Sequence, residues 1–516
     1  MIKTKLEQFL EVLIAAIVFA VIYYIVKLPI HNIPITYYDD GESLYHVFNI
    51  LHGGIPYLED HSHHFLGYVI HFLLGEKIFG LNLFLIKNVA FLNQVLVSIA
   101  VFLVSRLYFA NHVALIAGLL TIVAREPFVL GFQIQYMINF YLYFLLYFSL
   151  LAIRKQNSSY LLLAYFLSSV AFVYDQRCLA LVLIPIVASF QIIGFPSFKG
   201  ATKSLTFYLT PILASLYYLY KNGALVPFYE QTFLYPSIYR IGSRSMIDLI
   251  WNAICIHKHL FSHMNVWFFG SALIGSIALY FNAANASPLS VKEKRLFTVI
   301  LIPLLLMPSV GGRDFDYYTI TWLPFFGICV AFGYDYISKQ REALKLIYAL
   351  LLFLSLLFPL VAAAGFMRSD MLQRYTGDGF TEVSEYLNRN LSADDTVYVW
   401  GYRMDLYVAI HKLSHFPHVN YIMIHPDRQV IGEDREKHIY PKYEDMFLDK
   451  LAKNPPTYFV TALHKERDEL ELDSKAQSEV FNAIDQRYEQ VFESKKDAYN
   501  GVISIFTVYK LKPISR

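Results

Sequence analysis

The stretch ITYYDDGESLYHVFNILHGGIPYLEDHSHH, residues 35–64, holds the carboxylates Asp39, Asp40, Glu42, Glu59 and Asp60 without one Lys or Arg. Three acids within residues 39–42 repel one another unless a cation, a shared proton or a basic group intervenes. A carboxylate held there can take the proton of an attacking hydroxyl. Asp40-Gly41 is equally the chemistry of a simple turn. The run EDHSHH, residues 59–64, adds His61, His63 and His64, and imidazole with carboxylate is a ligand set for zinc or iron. A membrane di-iron site needs further histidine clusters, and His71, His257, His259 and His263 lack that layout. A solvated or headgroup-contacting histidine cluster is the expectation, with no tightly bound transition metal.

Other polar groups stand at the edges of apolar runs. They are Arg125 and Glu126 in VAREPF, Asp175, Gln176 and Arg177 in VYDQRC, and Arg313, Asp314 and Asp316 in GGRDFDYYTI. The longer segment 222–263 carries Glu230, Arg240, Arg244 and three histidines. Ionisable groups at a membrane boundary are costly and turn toward a wet cavity or one another, or serve as snorkelling anchors. Arginine forks match phosphate oxygens, so carboxylates and arginines converging on one side would activate a hydroxyl and hold a phosphate.

The elements that must position these groups are membrane helices. Of 516 residues, 56% are hydrophobic and only 16% charged, with a mean hydropathy of +0.42, against about 25% charged residues in soluble chains. A net charge of +2 argues against a nucleic-acid partner, which needs a concentrated basic face. Cys178, Cys255 and Cys329 are too scattered for a disulfide framework or a zinc site. Apolar runs centre on 9–28, 87–105, 107–124, 134–153, 159–174, 178–194, 205–221, 265–282, 296–309, 318–337 and 345–366, about eleven spans. The N-terminal run has a basic start and no small-residue cleavage site, which predicts a retained signal-anchor helix. Residues 65–75 are apolar but too short to cross, and predict a helix along the membrane surface.

Lys and Arg gather on alternate connections, at Lys3 and Lys5, Arg106, Arg154 and Lys155, Lys199 and Lys203, Lys292 to Arg295, and Lys339 to Lys345. The positive-inside rule then puts the N-terminus in the cytoplasm and, with an odd span count, the acidic stretch and the tail outside. The expected domains are a transmembrane unit, 1–366, whose first outer loop, 29–83, is catalytic, and an extracytoplasmic α/β unit, 367–516. In that tail FTEVSEYLNRNL, MDLYVAIHK and SKAQSEVFNAIDQRY have helical spacing, while DTVYVWG, PPTYFVTAL, YEQVFES and VISIFTVYKLK read as strands. No internal repeat or low-complexity linker is visible.

With this topology the chain resembles the GT-C class of membrane glycosyltransferases, in the branch of the dolichyl-phosphate-mannose protein mannosyltransferases. Members open their first outer loop with an Asp-Glu pair, a following Tyr, and a Leu-x-x-Gly-x-x-Pro-Tyr-x-Asp run. DDGESLYHVFNILHGGIPYLED has that order, with Asp40 where Glu is usual, Tyr45 as the Tyr, and Glu59 or Asp60 as the last acid. GEKIFGLNLFLIKNVAFLN is similar to the family's continuation, with Lys87 where Arg is common, and GGRDFDYYTITWLPFFGICVAFGY to its late Arg-Tyr-Tyr motif, with Asp316 where His is frequent. The tail run TVYVWGYRMDLYVAI also resembles family tails.

The resemblance implies an all-α polytopic bundle of GT-C fold with an outer α/β domain, in a bacterial inner (plasma) membrane. It implies a hexosyl- or pentosyltransferase that takes a sugar from a polyprenyl-phosphate donor in the lipid bilayer to a glycan, lipid or protein acceptor. Asp39 stands at the family's base position, with Asp40 beside it to orient it or to help hold a weakly bound divalent cation, Mg or Mn, and Glu42 a further catalytic candidate that could serve as base in its place. Arg313 with Tyr317, and Arg177, would bind the donor phosphate, and Tyr45, Glu59, Asp60, His63 and His64 would line the substrate. One departure is clear: where relatives carry a second acid, QYMINFYLYF offers Gln135 or Asn139. A transporter would instead show broken helices and midplane charges in repeated halves. A non-catalytic lipid- or polysaccharide-binding scaffold would keep the fold and tolerate the loss of Asp39.

Overall fold

A computed structural model describes residues 5–31, 38–123, 134–194, 197–234, 246–260, 266–281, 288–310, 316–368, 379–401, 403–416, 441–464, 475–495, 497–499 and 502–513. Each of the eleven apolar runs is helical, because a helix satisfies its own backbone where lipid offers no partners. Among the described residues, five helices are long and apolar enough to cross a membrane: Lys5–Leu28, Leu85–Arg106, Tyr136–Lys155, Tyr318–Ser338 and Glu342–Gly365. Asn111–Val123, Ser159–Tyr174, Gln176–Ile192 and Val266–Tyr280 are shorter apolar helices.

The remaining two runs depart from the expected eleven spans for physical reasons. The run 296–309 is split into helices Val291–Val299 and Leu301–Val310. Pro303 explains the break, since its ring collides with the carbonyl of Val299, four residues back, in any continuous helix. The run 205–221 lies in the longer helix Phe198–Lys221, where Thr202, Thr206 and Thr210 return their hydroxyls to carbonyls four residues back. The surface helix expected near 65–75 is Leu66–Phe79, with Ile70, Leu74 and Ile78 exposed along one stripe.

Leu85–Arg106, Tyr136–Lys155 and Tyr318–Ser338 form the middle of the bundle, while the first and last long helices present mostly exposed apolar faces. Helices Val266–Phe281 and Trp322–Ser338 touch backbone to backbone: a Cβ at Gly275 would lie 1.9 Å from the Cys329 carbonyl oxygen. Only glycine permits that approach.

Among the described residues the tail holds a five-stranded sheet of β1 (Val397–Trp400), β2 (Tyr458–His464), β3 (Tyr488–Glu493), β4 (Asp497–Tyr499) and β5 (Val502–Leu511). Its order is β1-β2-β5-β3, with β4 also on β5; β1 and β2 are parallel and the other pairs antiparallel. Helix Pro441–Lys453 lies on the crossover between β1 and β2. Side chains alternate across a strand, so Tyr398, Trp400 and Phe459 meet Phe447, Leu451, Val480 and Ile484 of the covering helices. Val397, Val399, Val460 and Val508 face the other way, into a core continuous with that of the membrane bundle. β1 is therefore buried on both faces, which accounts for its unbroken apolar run.

Candidate functional site: a buried carboxylate and imidazole cluster

The acidic stretch folds as helix Tyr38–Leu51, with Asp39 and Asp40 in the first turn, where the helix dipole favours negative charge. Leu44, Val47 and Phe48 bury one face. The helix stops at Gly53, whose φ of 91° suits a glycine after a helix end. The following loop folds back upon it. Glu59 accepts the Ile55 N–H at 3.0 Å, and the Tyr57 hydroxyl donates to the His64 carbonyl at 2.8 Å. Gln231, far along the chain, accepts from Ser62 N at 3.0 Å and donates to the Tyr57 carbonyl at 2.8 Å. Tyr57 takes a φ of 68°, an uncommon conformation for a tyrosine, inside this framework.

The fold-back sets Asp60 against His46. His46 Nδ1 meets the Asp60 carboxylate, and its Nε2 lies 3.5 Å from Glu42 Oε1, one turn earlier on the helix. All three are buried. Burial opposes a charged imidazole, but Asp60 and Glu42 outweigh it and push the His46 pKa up to about 10. Burial likewise opposes the Glu42 charge, yet the hydrogen bond and charge of His46, with His63 and His61 adding to them, hold Glu42 at about 2. His61 is pushed down to about 3 by burial, which the Glu42 charge only partly offsets, and is neutral. Asp40 is buried and acts electrostatically on Lys87. The stretch without Lys or Arg thus takes its cations from a histidine four residues along its own helix and a lysine on the next long one.

The sequence-derived residues distribute as follows. Glu42 and Asp60 come together around His46, Asp40 acts on Lys87, and Glu59 caps its own loop. His63 packs at a tilt on His64 with ring centroids 4.0 Å apart, and His64 on Tyr68 at 4.4 Å. Tyr45 packs on Tyr407 of the tail at 5.2 Å and accepts the Ser414 N–H at 3.1 Å. Arg177 forks onto Asp175, Nε to Oδ1 at 2.9 Å and Nη2 to Oδ2 at 2.7 Å, and lies over the Tyr318 ring at 4.9 Å. A lipid phosphate at Arg177 must compete with that carboxylate. The side chains of Asp39 and Tyr317, and the whole of Arg313, lie outside the described residues, as do Arg125, Glu126, Arg240 and Arg244. Among the described residues no three His, Cys, Asp or Glu side chains form a group that could hold a metal ion.

Sequence reasoning missed His46 and Gln231. The i, i+4 spacing of Glu42 and His46 was a usable signal once the stretch is taken as a helix; Gln231 carried none. It also missed the tail's grip on this helix. A Cβ at Gly41 would lie 3.4 Å from Oδ1 of Asp405, which is itself buried and forked onto Arg403. Tyr45→Phe leaves the Ser414 N–H without its acceptor and is expected to cost about 1 kcal/mol. The readout is faster proteolytic release of the tail from otherwise intact protein.

No protein-family model matches the chain, and no curated protein sequence does. Solved structures do. ArnT from Cupriavidus metallidurans bound to undecaprenyl phosphate is 10% identical, with a TM-score of 0.59 over 95% of this chain and 97% of that one. The apo state of the same protein gives 0.56 over the same shares. The apo oligosaccharyltransferase of Archaeoglobus fulgidus is 12% identical, with a TM-score of 0.52 over 93% of this chain and 73% of that one. The likeness is one of fold: this chain shares the fold of ArnT and of the archaeal oligosaccharyltransferase.

Proposed function

We propose that this protein is an inverting glycosyltransferase of the polyprenyl-phosphate-dependent kind, acting on the extracytoplasmic face of a bacterial inner membrane. The observation that carries the reading is the helix Tyr38–Leu51: buried acids, each set against a cation, lie between a GT-C bundle and its tail. The dolichyl-phosphate-mannose-like branch rests on the motif order of residues 39–60. Asp39 takes the proton of the acceptor hydroxyl or amide as that atom bonds to the sugar's anomeric carbon. The bond from that carbon to the phosphate oxygen breaks in the same displacement, which inverts the centre. Arg313 and Tyr317 meet the charge that grows on the departing polyprenyl phosphate. Glu42, held near 2 and bound to His46, is too weak a base for the proton. It and Asp60 instead fix the helix through one imidazolium.

The test is binding of undecaprenyl phosphate to the purified protein by native mass spectrometry, followed by transfer from its glycosylated form. Arg313→Ala is expected to weaken lipid binding by the roughly 1.5–3 kcal/mol of a charge-assisted contact. A wild-type protein that retains no polyprenyl phosphate would refute the assignment. Topology gives a separate check: a reporter active only outside the cytoplasm should work when fused after Arg516 and stay silent at Lys294. The reverse pattern would put the acidic helix on the wrong side for this donor.

A further inference from the structure

Helix Phe198–Lys221 rises about 36 Å over its 24 residues, enough to cross a hydrocarbon core of about 30 Å. Its end exposes Tyr217, Tyr218 and Tyr220 before an exposed Lys221, the residue types that gather at the headgroup level. There the chain turns. Gly223 takes a φ of 70°, and the Ala224 N–H donates to the Leu219 carbonyl at 2.8 Å, which closes the helix. Helix Leu225–Tyr229 and a wider π turn, Glu230–Leu234, follow. Together they extend at most about 15 Å, too short to cross.

This short segment has two unlike faces. Leu225 and Phe228 pack against Tyr57, Leu66 and Leu219, and the Phe228 ring lies 5.1 Å from that of Tyr57 and 5.3 Å from that of Phe65. Gln231, only 2% exposed, holds the Ser62 N–H and the Tyr57 carbonyl. This face is fastened to the loop that brings Asp60 to His46. The other presents Val226, Tyr229 and Phe233, which are 67%, 54% and 44% exposed. The Tyr229 and Phe233 rings stack at 5.7 Å, and Phe233 also meets Phe65 at 5.5 Å, joining the two faces. Side chains three and four residues apart form one stripe, and water is a poor partner for an apolar one. The stripe begins where the exposed apolar face of the preceding helix ends, at Leu213, Leu216 and Tyr217. It continues a surface that lipid covers.

We infer that Val226, Tyr229 and Phe233 seat in the leaflet bordering the acidic helix, among acyl chains just beneath the phospholipid headgroups, and that the bilayer thereby holds Gln231 against the loop of Asp60. The inference needs the membrane reading of this chain but not the transferase one. The experiment places p-benzoylphenylalanine at Val226 or at Tyr229 of the full-length protein in phosphatidylcholine vesicles and identifies photo-adducts by mass spectrometry. Phospholipid adducts are expected at both positions. A cross-link to a second copy of the chain in their place, or photolysis without any lipid adduct, would overturn the seat. Hydrogen exchange in the same vesicles tests the hold on the loop. Gln231→Leu removes the acceptor of the Ser62 N–H and should speed exchange of that amide about fivefold, the worth of one hydrogen bond. Val226→Ser combined with Tyr229→Ser changes only exposed positions and keeps Gln231, yet should speed the same amide by a similar factor. Exchange of Ser62 at the parental rate in that double variant would overturn the coupling between bilayer and loop.

Discussion

Asp39→Asn is expected to bind donor lipid as the parent does and to lose transfer by roughly 10²–10⁴, the usual contribution of a general base. The asparagine keeps the shape and removes the basic oxygen. The neighbours are poorly placed to substitute: Glu42 is bound to His46 and held near 2, and Asp40 is buried and tied electrostatically to Lys87. Transfer and lipid binding must be measured separately on the same preparation. Transfer at the parental rate would move the base to another group, with Asp40 the next to change, or point to a scaffold with no chemistry.

His46→Leu should do the greatest damage to the fold. It leaves the Glu42 and Asp60 carboxylates buried without their shared cation, a loss of about 3–5 kcal/mol for a broken buried pair. Adding Glu42→Gln and Asp60→Asn should restore most of the melting temperature, because the uncompensated charges are then gone. A single variant melting with the parent would show that the cluster carries no such charge. The pH dependence has a definite sign. The His46 pKa rises on folding from 6.5 to about 10, so its contribution is full below 6.5 and fades as pH climbs toward 10. Glu42 falls from 4.5 to about 2, so its share is full above 4.5 and is lost as pH drops toward 2. Between those limits, at about pH 4.5–6.5, both contributions are present, while burial raises the Asp60 carboxyl above its ordinary 3.8 and works against them as pH climbs.

Apolar runs announced the bundle because lipid allows few alternatives to a helix. Strand alternation did the same for β2, β3 and β5 of the tail. The break at Val299 was legible in Pro303 but was read through. Helix Pro441–Lys453 went unread although Pro441 and the spacing of Phe447 and Leu451 mark it. The acidic stretch was recognisable as chemistry from its charge alone. Its helical form was obscured by Asp40-Gly41, whose residue types are those of a turn. What stayed hidden shares one cause: Gln231, Asp405 and Ser414 act on residues 41–62 from far along the chain, and local pattern carries no record of such contacts.

The hydrogen bond from Ser414 to Tyr45 spans 369 residues. During synthesis at about 5–20 residues per second, the acidic helix therefore waits roughly 20–70 s between its own emergence and that of the segment that closes over it. Throughout that interval its buried acids lack their lid, while the first membrane helix is already available for insertion. Truncated chains ending before Ser414 should accordingly be substrates for membrane quality-control proteolysis, and maturation of the site should be timed by completion of the tail rather than by insertion of the bundle.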